Sequence, residues 1–81
     1  MTLEAELTIE PFVAGTRGPH VEAATAAARA AGLTVEVGPF GDRVSGEDHQ
    51  VLGAVADMLR GAVSQGATRV SIQVTVRPEP Q

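Results

Sequence analysis

Two stretches of strict period-two alternation, one near each end of the chain, constrain the fold most strongly. Residues 3–10 alternate apolar side chains with glutamate and threonine, and residues 70–76 alternate valine or isoleucine with serine, glutamine and threonine. This pattern is typical of strands with one buried and one solvated face. Because 81 residues are too few for two cores, we expect one domain over residues 1–81.

Two helices are predicted between these strands. Residues 19–31 are rich in alanine, with Pro19 at the start and Gly32 just past the end, where glycine commonly closes a helix. A second helix is expected after Ser45 or Asp48, either of which can cap its N-terminus. Gly66 ends it, and its apolar stripe consists of Val51, Val55, Met58, Leu59, Ala62 and Val63.

Residues 33–46 predict a hairpin whose turn is Gly-Pro-Phe-Gly at positions 38–41. The element order is therefore β-α-β-β-α-β, which indicates an α+β, ferredoxin-like fold with a four-stranded antiparallel sheet and both helices on one face. The open face carries acids that should form ion pairs across the strands. Glu4, Glu6 and Glu10 are expected opposite Arg77, Gln73 and Arg69.

Composition excludes several classes of function. The net charge is −4 and the chain contains no lysine, so no nucleic-acid partner is expected. The absence of cysteine excludes disulfides and thiolate zinc sites. No apolar run approaches the roughly 20 residues of a membrane helix, and no signal peptide is apparent. We expect a soluble cytoplasmic protein without a membrane partner.

No catalytic or metal-binding constellation is visible in the sequence. His20 and His49 each begin a helix at opposite ends of the predicted sheet, so they cannot share a metal ion. We therefore expect no metal and no cofactor, and a binding protein rather than an enzyme.

The candidate functional site lies at one end of the predicted sheet. Strands 1 and 2 run parallel and both end in a Pro-Phe pair, which brings Phe12 and Phe40 to the same edge, near Glu10 and the 15–18 loop. Two rings, carboxylates and helix-start N–H groups suit a small-molecule pocket. Alternatively, the two rings close the open end of an alanine-lined core.

Asp42 is ambiguous in the sequence. Its alternation with Val44 points its carboxylate towards the helices, where an unpaired charge is costly. Either Asp42 forms the turn and reaches water, or it has a hydrogen-bonding partner in the protein or in a ligand, for which an amine or a cationic ring is suitable. The 15–18 loop itself is expected to be a solvated connector.

Four segments carry a resemblance to a known family: residues 5–11, 31–41, 44–47 and 66–70. They contain the strand-ending Glu-Pro, Gly-Leu followed by Gly-Pro-Phe-Gly, Ser-Gly-Glu before helix 2, and Gly-Ala-Thr-Arg-Val before the last strand. In order and spacing they resemble the small prokaryotic thiamine-binding protein family over residues 3–77.

The resemblance implies a ferredoxin-like fold and binding of thiamine or its hydroxymethylpyrimidine moiety, in vitamin uptake or salvage. It also implies a homodimer or homotetramer and a pocket formed by the end of strand 1 and the hairpin. On this chain the implied ligand-binding residues are Ile9, Glu10, Phe12, Phe40, Asp42 and Val44. The chain differs from tandem members of the family in having one domain.

Other functions compete with this hypothesis. One is an oligomeric regulatory or sensory ferredoxin-like module that binds a ligand at an interface. Another is a hydrolase like acylphosphatase, with Arg17 before helix 1 as its phosphate-binding residue. The chain has no asparagine to orient the attacking water in such an enzyme. An RNA-binding sheet is excluded, because its exposed face carries glutamates instead of stacking aromatics.

Overall fold

The computed structural model describes residues 1–12, 15–38 and 41–78, and it confirms the predicted α+β, ferredoxin-like fold. Its four strands form one sheet in the order β2-β3-β1-β4, in which every neighbouring pair is antiparallel. Two helices complete the chain. The elements are β1 (Thr2–Glu10), α1 (Gly18–Ala30), β2 (Thr34–Val37), β3 (Asp42–Glu47), α2 (Asp48–Ser64) and β4 (Arg69–Arg77).

The core lies between β1 and the two helices. The alternate residues 3, 5, 7 and 9 of this central strand are at most 4% exposed, as the period of two predicts. The helices contribute mainly small side chains and pack closely together. A Cβ added at Gly61 of α2 would lie 3.3 Å from the carbonyl oxygen of Ala23 in α1. The other buried apolar residues are Ala24, Ala28, Leu33, Val44, Val51, Ala54, Met58 and Ala62.

Both helices end as their glycines predict. Gly32 and Gly66 have φ angles of +81° and +101°, a backbone conformation that glycine adopts without steric cost. After α1, Gly32 N donates to Arg29 O and Leu33 N donates to Ala28 O, the paired bonds of a Schellman motif. The equivalent bonds end α2.

The predicted start of α2 was wrong. β3 continues to Glu47, so Ser45 remains in the strand and Asp48 is already the first helical residue. Glu47 is the N-cap, and its side chain and that of Gln50 form a reciprocal capping box. Glutamate is not among the usual N-cap residues, so the sequence signal favoured its neighbours.

The helical layer does not cover the whole sheet. Val74 and Val76 of β4 lie on the helix side but are 46% and 54% exposed. Val63, predicted to lie on the buried stripe of α2, is 63% exposed. Alternation correctly predicted the face of these β4 residues, but the helical layer covers Val70 and Ile72 in the first half of the strand and not Val74 and Val76 in the second half.

The acids of the open face are paired, and Glu10 and Glu4 pair with the predicted arginines, whereas Glu6 finds its ion-pair partner on β3. Glu10 faces Arg69 as expected, and 3.7 Å separate Oε2 and Nε. Glu6 faces Gln73 but accepts a 2.7 Å hydrogen bond from Arg43 Nη2 of β3. Arg77 lies opposite Thr2 and reaches Glu4 diagonally, and its hydrogen bond holds the pKa of the Glu4 carboxyl below its ordinary value.

Within the described part of the chain, no helix is long and apolar enough to cross a membrane.

A pair of glycine substitutions should have opposite effects on stability. A Cβ at Gly41 would lie 2.7 Å from the carbonyl oxygen of Leu7, and backbone cannot move aside as a flexible side chain can. We expect Gly41→Ala to lower the free energy of unfolding by about 1–3 kcal/mol. Gly53 lies in α2 with no atom within 4 Å of its added Cβ, so Gly53→Ala should raise stability by about 0.5–1 kcal/mol. Urea unfolding measures both; equal effects would contradict the close approach of β1 and β3.

Candidate functional site

The hairpin end of the sheet brings together β1, the loop before α1, the start of α1 and the start of β3. Asp42 opens β3 opposite Leu7, which lies three residues before the end of β1. Leu7 belongs to the buried row of its strand, so Asp42 also points towards the helices, as alternation predicted.

The Asp42 carboxylate is buried and paired. The residue is 4% exposed, and its two oxygens accept hydrogen bonds from Arg17 Nη1 at 3.1 Å and Arg17 Nη2 at 2.9 Å. The Thr25 hydroxyl of α1 lies 2.8 Å from Oδ2. Of the alternatives left open by the sequence, the structure therefore shows a buried carboxylate with protein partners, not a solvated turn residue.

Arg17 links this carboxylate to α1. Its Nε donates to Glu22 at 2.6 Å and its Nη2 donates to Thr25 Oγ1 at 2.6 Å, in addition to the two bonds to Asp42. The hydrogen bond to Asp42 is the main cause that raises the pKa of the Arg17 guanidinium above its ordinary value. The side chain of Arg17 is 30% exposed, whereas that of Asp42 is 3% exposed. The cation thus covers the anion on the solvent side.

His20 holds the end of β1 against the helix. It is 4% exposed, and its Nε2 donates to the carbonyl oxygen of Pro11 at 2.6 Å. A carbonyl only accepts, so this contact requires the proton on Nε2. Gly18 makes room for the ring, since a Cβ there would lie 2.7 Å from Cε1 of His20.

A polar cleft lies at the same end of the sheet. Its volume is about 450 Å³, within the range of small-molecule sites. Arg43 crosses it, 2.7 Å from Glu6 and 3.9 Å from Glu36. Its lining residues are Glu6, Leu7, Thr8, Glu36, Val37, Gly38, Gly41, Asp42 and Arg43.

The predicted site residues do not all meet. The side chains of Ile9 and Val44 belong to the core, at 4% and 0% exposure. Glu10 belongs to the polar row of β1 and lies three residues beyond the pairing of Leu7 with Asp42, so the two predicted acceptors are on opposite faces. Phe12 is 55% exposed and does not plug the core. Phe40 falls outside the described residues.

Sequence reasoning missed Thr25 and His20 as part of this cluster, and it regarded the loop that carries Arg17 as a solvated connector. A useful signal was available for Thr25, the one hydroxyl in the alanine-rich run of α1, on the same helical face as Ala28. In the part of the chain that the structure describes, no three potential metal ligands cluster.

The ion pair makes a testable prediction about stability. Arg17→Ala leaves the Asp42 carboxylate buried with Thr25 as its remaining partner, so we expect the free energy of unfolding to fall by about 2–4 kcal/mol. Adding Asp42→Asn should restore part of this loss, because the amide carries no charge. Arg60→Ala, which removes an exposed pair with Asp57, is the control and should cost less than about 1 kcal/mol. Equal losses for the two arginines in urea unfolding would refute the role of Arg17.

Comparison with solved structures shows the same fold in proteins of low sequence identity. A domain of unknown function, DUF77, from Bacillus cereus is 24% identical with a TM-score of 0.70, covering 95% of this chain and 77% of the other. A hypothetical protein from Methanocaldococcus jannascii is 21% identical with a TM-score of 0.74, covering 99% and 84%. A Thermotoga maritima protein, proposed to act in thiamine biosynthesis or salvage, is 24% identical with a TM-score of 0.65, covering 93% and 81%.

Sequence families give the more specific result. Among curated proteins, none matches this chain. Residues 5–80 match the thiamine-binding protein family. The matched range includes the hairpin, the Arg17 loop and both helices. The chain therefore belongs to the thiamine-binding protein family.

Proposed function

We propose that this protein is a non-enzymatic binder of thiamine or its hydroxymethylpyrimidine moiety, acting in the cytoplasm in vitamin uptake or salvage. Membership of the thiamine-binding family supports a thiamine-related ligand. The observation that carries the proposal is the buried Asp42 carboxylate. It lies directly after the turn between β2 and β3, and Arg17 and Thr25 bind it.

The chemistry of this cluster suits an aminopyrimidine. That ring presents an exocyclic amine, which donates hydrogen bonds, beside ring nitrogens, which accept them. The Asp42 carboxylate accepts from such an amine, and the Thr25 hydroxyl and Arg17 guanidinium donate to ring nitrogens. A ligand reaches Asp42 by displacing one of the two Arg17 N–H groups that bond the carboxylate, so that Arg17 stays beside the ligand and donates to it with its remaining N–H groups. The positive charge of thiamine then compensates for the lost contact with the carboxylate.

Residues around Asp42 and the net charge of the protein are proposed to contribute further to ligand binding. Phe12, which is 55% exposed, is proposed to stack on the ligand or to contact the thiazolium cation, an interaction worth roughly 0.5–2 kcal/mol. Phe40 is proposed as a further apolar contact. Ile9 and Val44, which are buried, are proposed to support the site from the core, and Glu10 to contribute its negative charge from the polar face of β1. The net charge of −4 favours a cationic ligand over an anionic one.

The use of Arg17 argues against the acylphosphatase-like alternative. A phosphate-binding arginine needs donors free for the anion, whereas the guanidinium here donates to Glu22, Thr25 and Asp42. These bonds support a role in shaping a neutral or cationic site.

We also propose that the chain forms a homodimer or homotetramer. Alanine makes up much of the buried surface of α1, and large apolar side chains on α2 and β4 remain exposed. A domain of this length buries a smaller share of its surface than a longer chain does, so association adds burial that the monomer lacks.

Calorimetry with thiamine and hydroxymethylpyrimidine tests the proposal. We expect Asp42→Asn to weaken binding by about 1.5–3 kcal/mol, roughly 10- to 150-fold, because a hydrogen bond to a charged acceptor is lost. Asp57→Asn makes the same chemical change at an exposed position of α2 and should bind like wild type.

Two outcomes would contradict the proposal. The first is the absence of heat with thiamine, its phosphates and hydroxymethylpyrimidine at millimolar concentration. The second is loss of binding in Glu36→Gln with normal binding in Asp42→Asn, which would move the ligand to the carboxylates of the polar cleft. Affinity is measured well below the melting temperature of each variant, so that stability does not enter.

A further inference from the structure

The two outer strands of the sheet differ in how they are protected against pairing. β2 has four residues, and Glu36 places a charge on it. β4 has nine residues, and no charge lies between Arg69 and Arg77 at its ends. Proteins usually blunt exposed edges with short strands, charges or proline. In the part of the chain that the structure describes, β4 pairs with β1 alone, so its outer edge is long and unprotected.

An apolar surface accompanies this edge on the helix side. Val74 and Val76 of β4 are 46% and 54% exposed. On the same side of the sheet, α2 carries Leu52, Val55, Leu59 and Val63, which repeat at helical spacing along one flank. Gly61 of α2 faces α1. At 100° per residue around the helix axis, Leu52, Leu59 and Val63 lie about 160–200° from Gly61. The row therefore lies on the side of α2 away from α1, and Leu52 and Val63 are 60% and 63% exposed.

We infer that β4 of one copy pairs antiparallel with β4 of a second copy, with all four helices on the same side, to form a continuous eight-stranded sheet. The inference rests on the self-association proposed above and names the surface that carries it. An antiparallel strand edge is self-complementary about a two-fold axis, as a symmetric dimer requires. The exposed valines of the two copies then adjoin, and the exposed α2 rows flank them.

The available area is sufficient for a specific dimer. Nine residues of strand span about 30 Å, and the two shorter dimensions of the molecule are 20 and 18 Å. The face at this edge is therefore at most roughly 600 Å² per protomer, or roughly 1,200 Å² in total, an upper bound that reaches the approximately 1,000 Å² expected of a specific interface.

Two criteria decide the register in which the two copies of β4 pair: like charges should not lie opposite each other, and the exposed valines should be covered. A two-fold axis at Gln73 would place Arg69 opposite Arg77 of the partner subunit, and like charges directly opposite are destabilising. An axis at Val74 places this residue opposite its own copy and Ile72 opposite Val76 of the partner subunit. Arg77 then faces Ser71 of the partner subunit. This register covers both exposed valines, and we assign it to the dimer.

Sedimentation of a charged variant tests the surface. Val74→Lys puts two ammonium groups at the centre of the interface, and we expect the dimer dissociation constant to rise at least about 100-fold. Val37→Lys is the matched control, because Val37 is 51% exposed on the helix side of the other edge strand. It should sediment like wild type. Circular dichroism confirms that both variants fold.

The absence of cysteine allows the register to be tested directly. Under oxidation, Val74→Cys should form a disulfide dimer, because opposite Cα atoms lie about 4.5–5.5 Å apart. Gln73→Cys should not form this disulfide. In this register position 73 lies diagonally from position 73 of the partner subunit, and their Cα atoms are more than about 7 Å apart. Crosslinking of position 73 alone would overturn the register. A dimeric Val74→Lys variant would overturn the surface but leave self-association intact, whereas a monomeric wild type at micromolar concentration would overturn both.

Discussion

A carboxylate that cannot reach water constrains the end of the molecule where the candidate site lies. Asp42 is directed inward by the strand that it begins, and its charge has to be balanced inside the fold. Arg17 supplies that charge from the preceding loop and Thr25 supplies a hydroxyl from α1. Three separate segments are thereby joined at one point. The start of β3, the residue before α1 and the second turn of α1 are therefore held together by one charge and its partners.

The sequence predicted the order of elements and the inward direction of Asp42, because both follow from periodicity. It did not predict that Arg17 would reach Asp42, since the loop carrying Arg17 has no period from which a side-chain direction could be read. The capping box at Glu47 was also missed, because the length of β3 is decided by its pairing with β1 and not by its own residues. Local patterns therefore account for the elements, while contacts between elements account for the site.

The exposed valines of β4 show a second limit of pattern reading. Alternation assigns a residue to one face of a sheet, but it does not say how far the opposite layer extends. Two helices packed as closely as α1 and α2 form a narrow layer, and this layer covers Val70 and Ile72 of β4 but leaves Val74 and Val76 exposed. The same narrowness explains why alanine dominates the interior of α1 and why so much aliphatic surface remains on α2. Core composition and the uncovered edge are thus two results of one packing geometry.

The contact between Gly61 and Ala23 has a further consequence for how the protein can respond to a ligand. Backbones that approach this closely have no long side chains between them that could change rotamer, so the helix pair cannot slide without opening voids. Sliding of the two helices against each other is therefore disfavoured. For the proposed ligand, adjustment is left to side chains at the rim of the site, and above all to the partly exposed guanidinium of Arg17. Under the proposed function, selectivity depends on how easily this side chain is displaced, and not on closure of a domain.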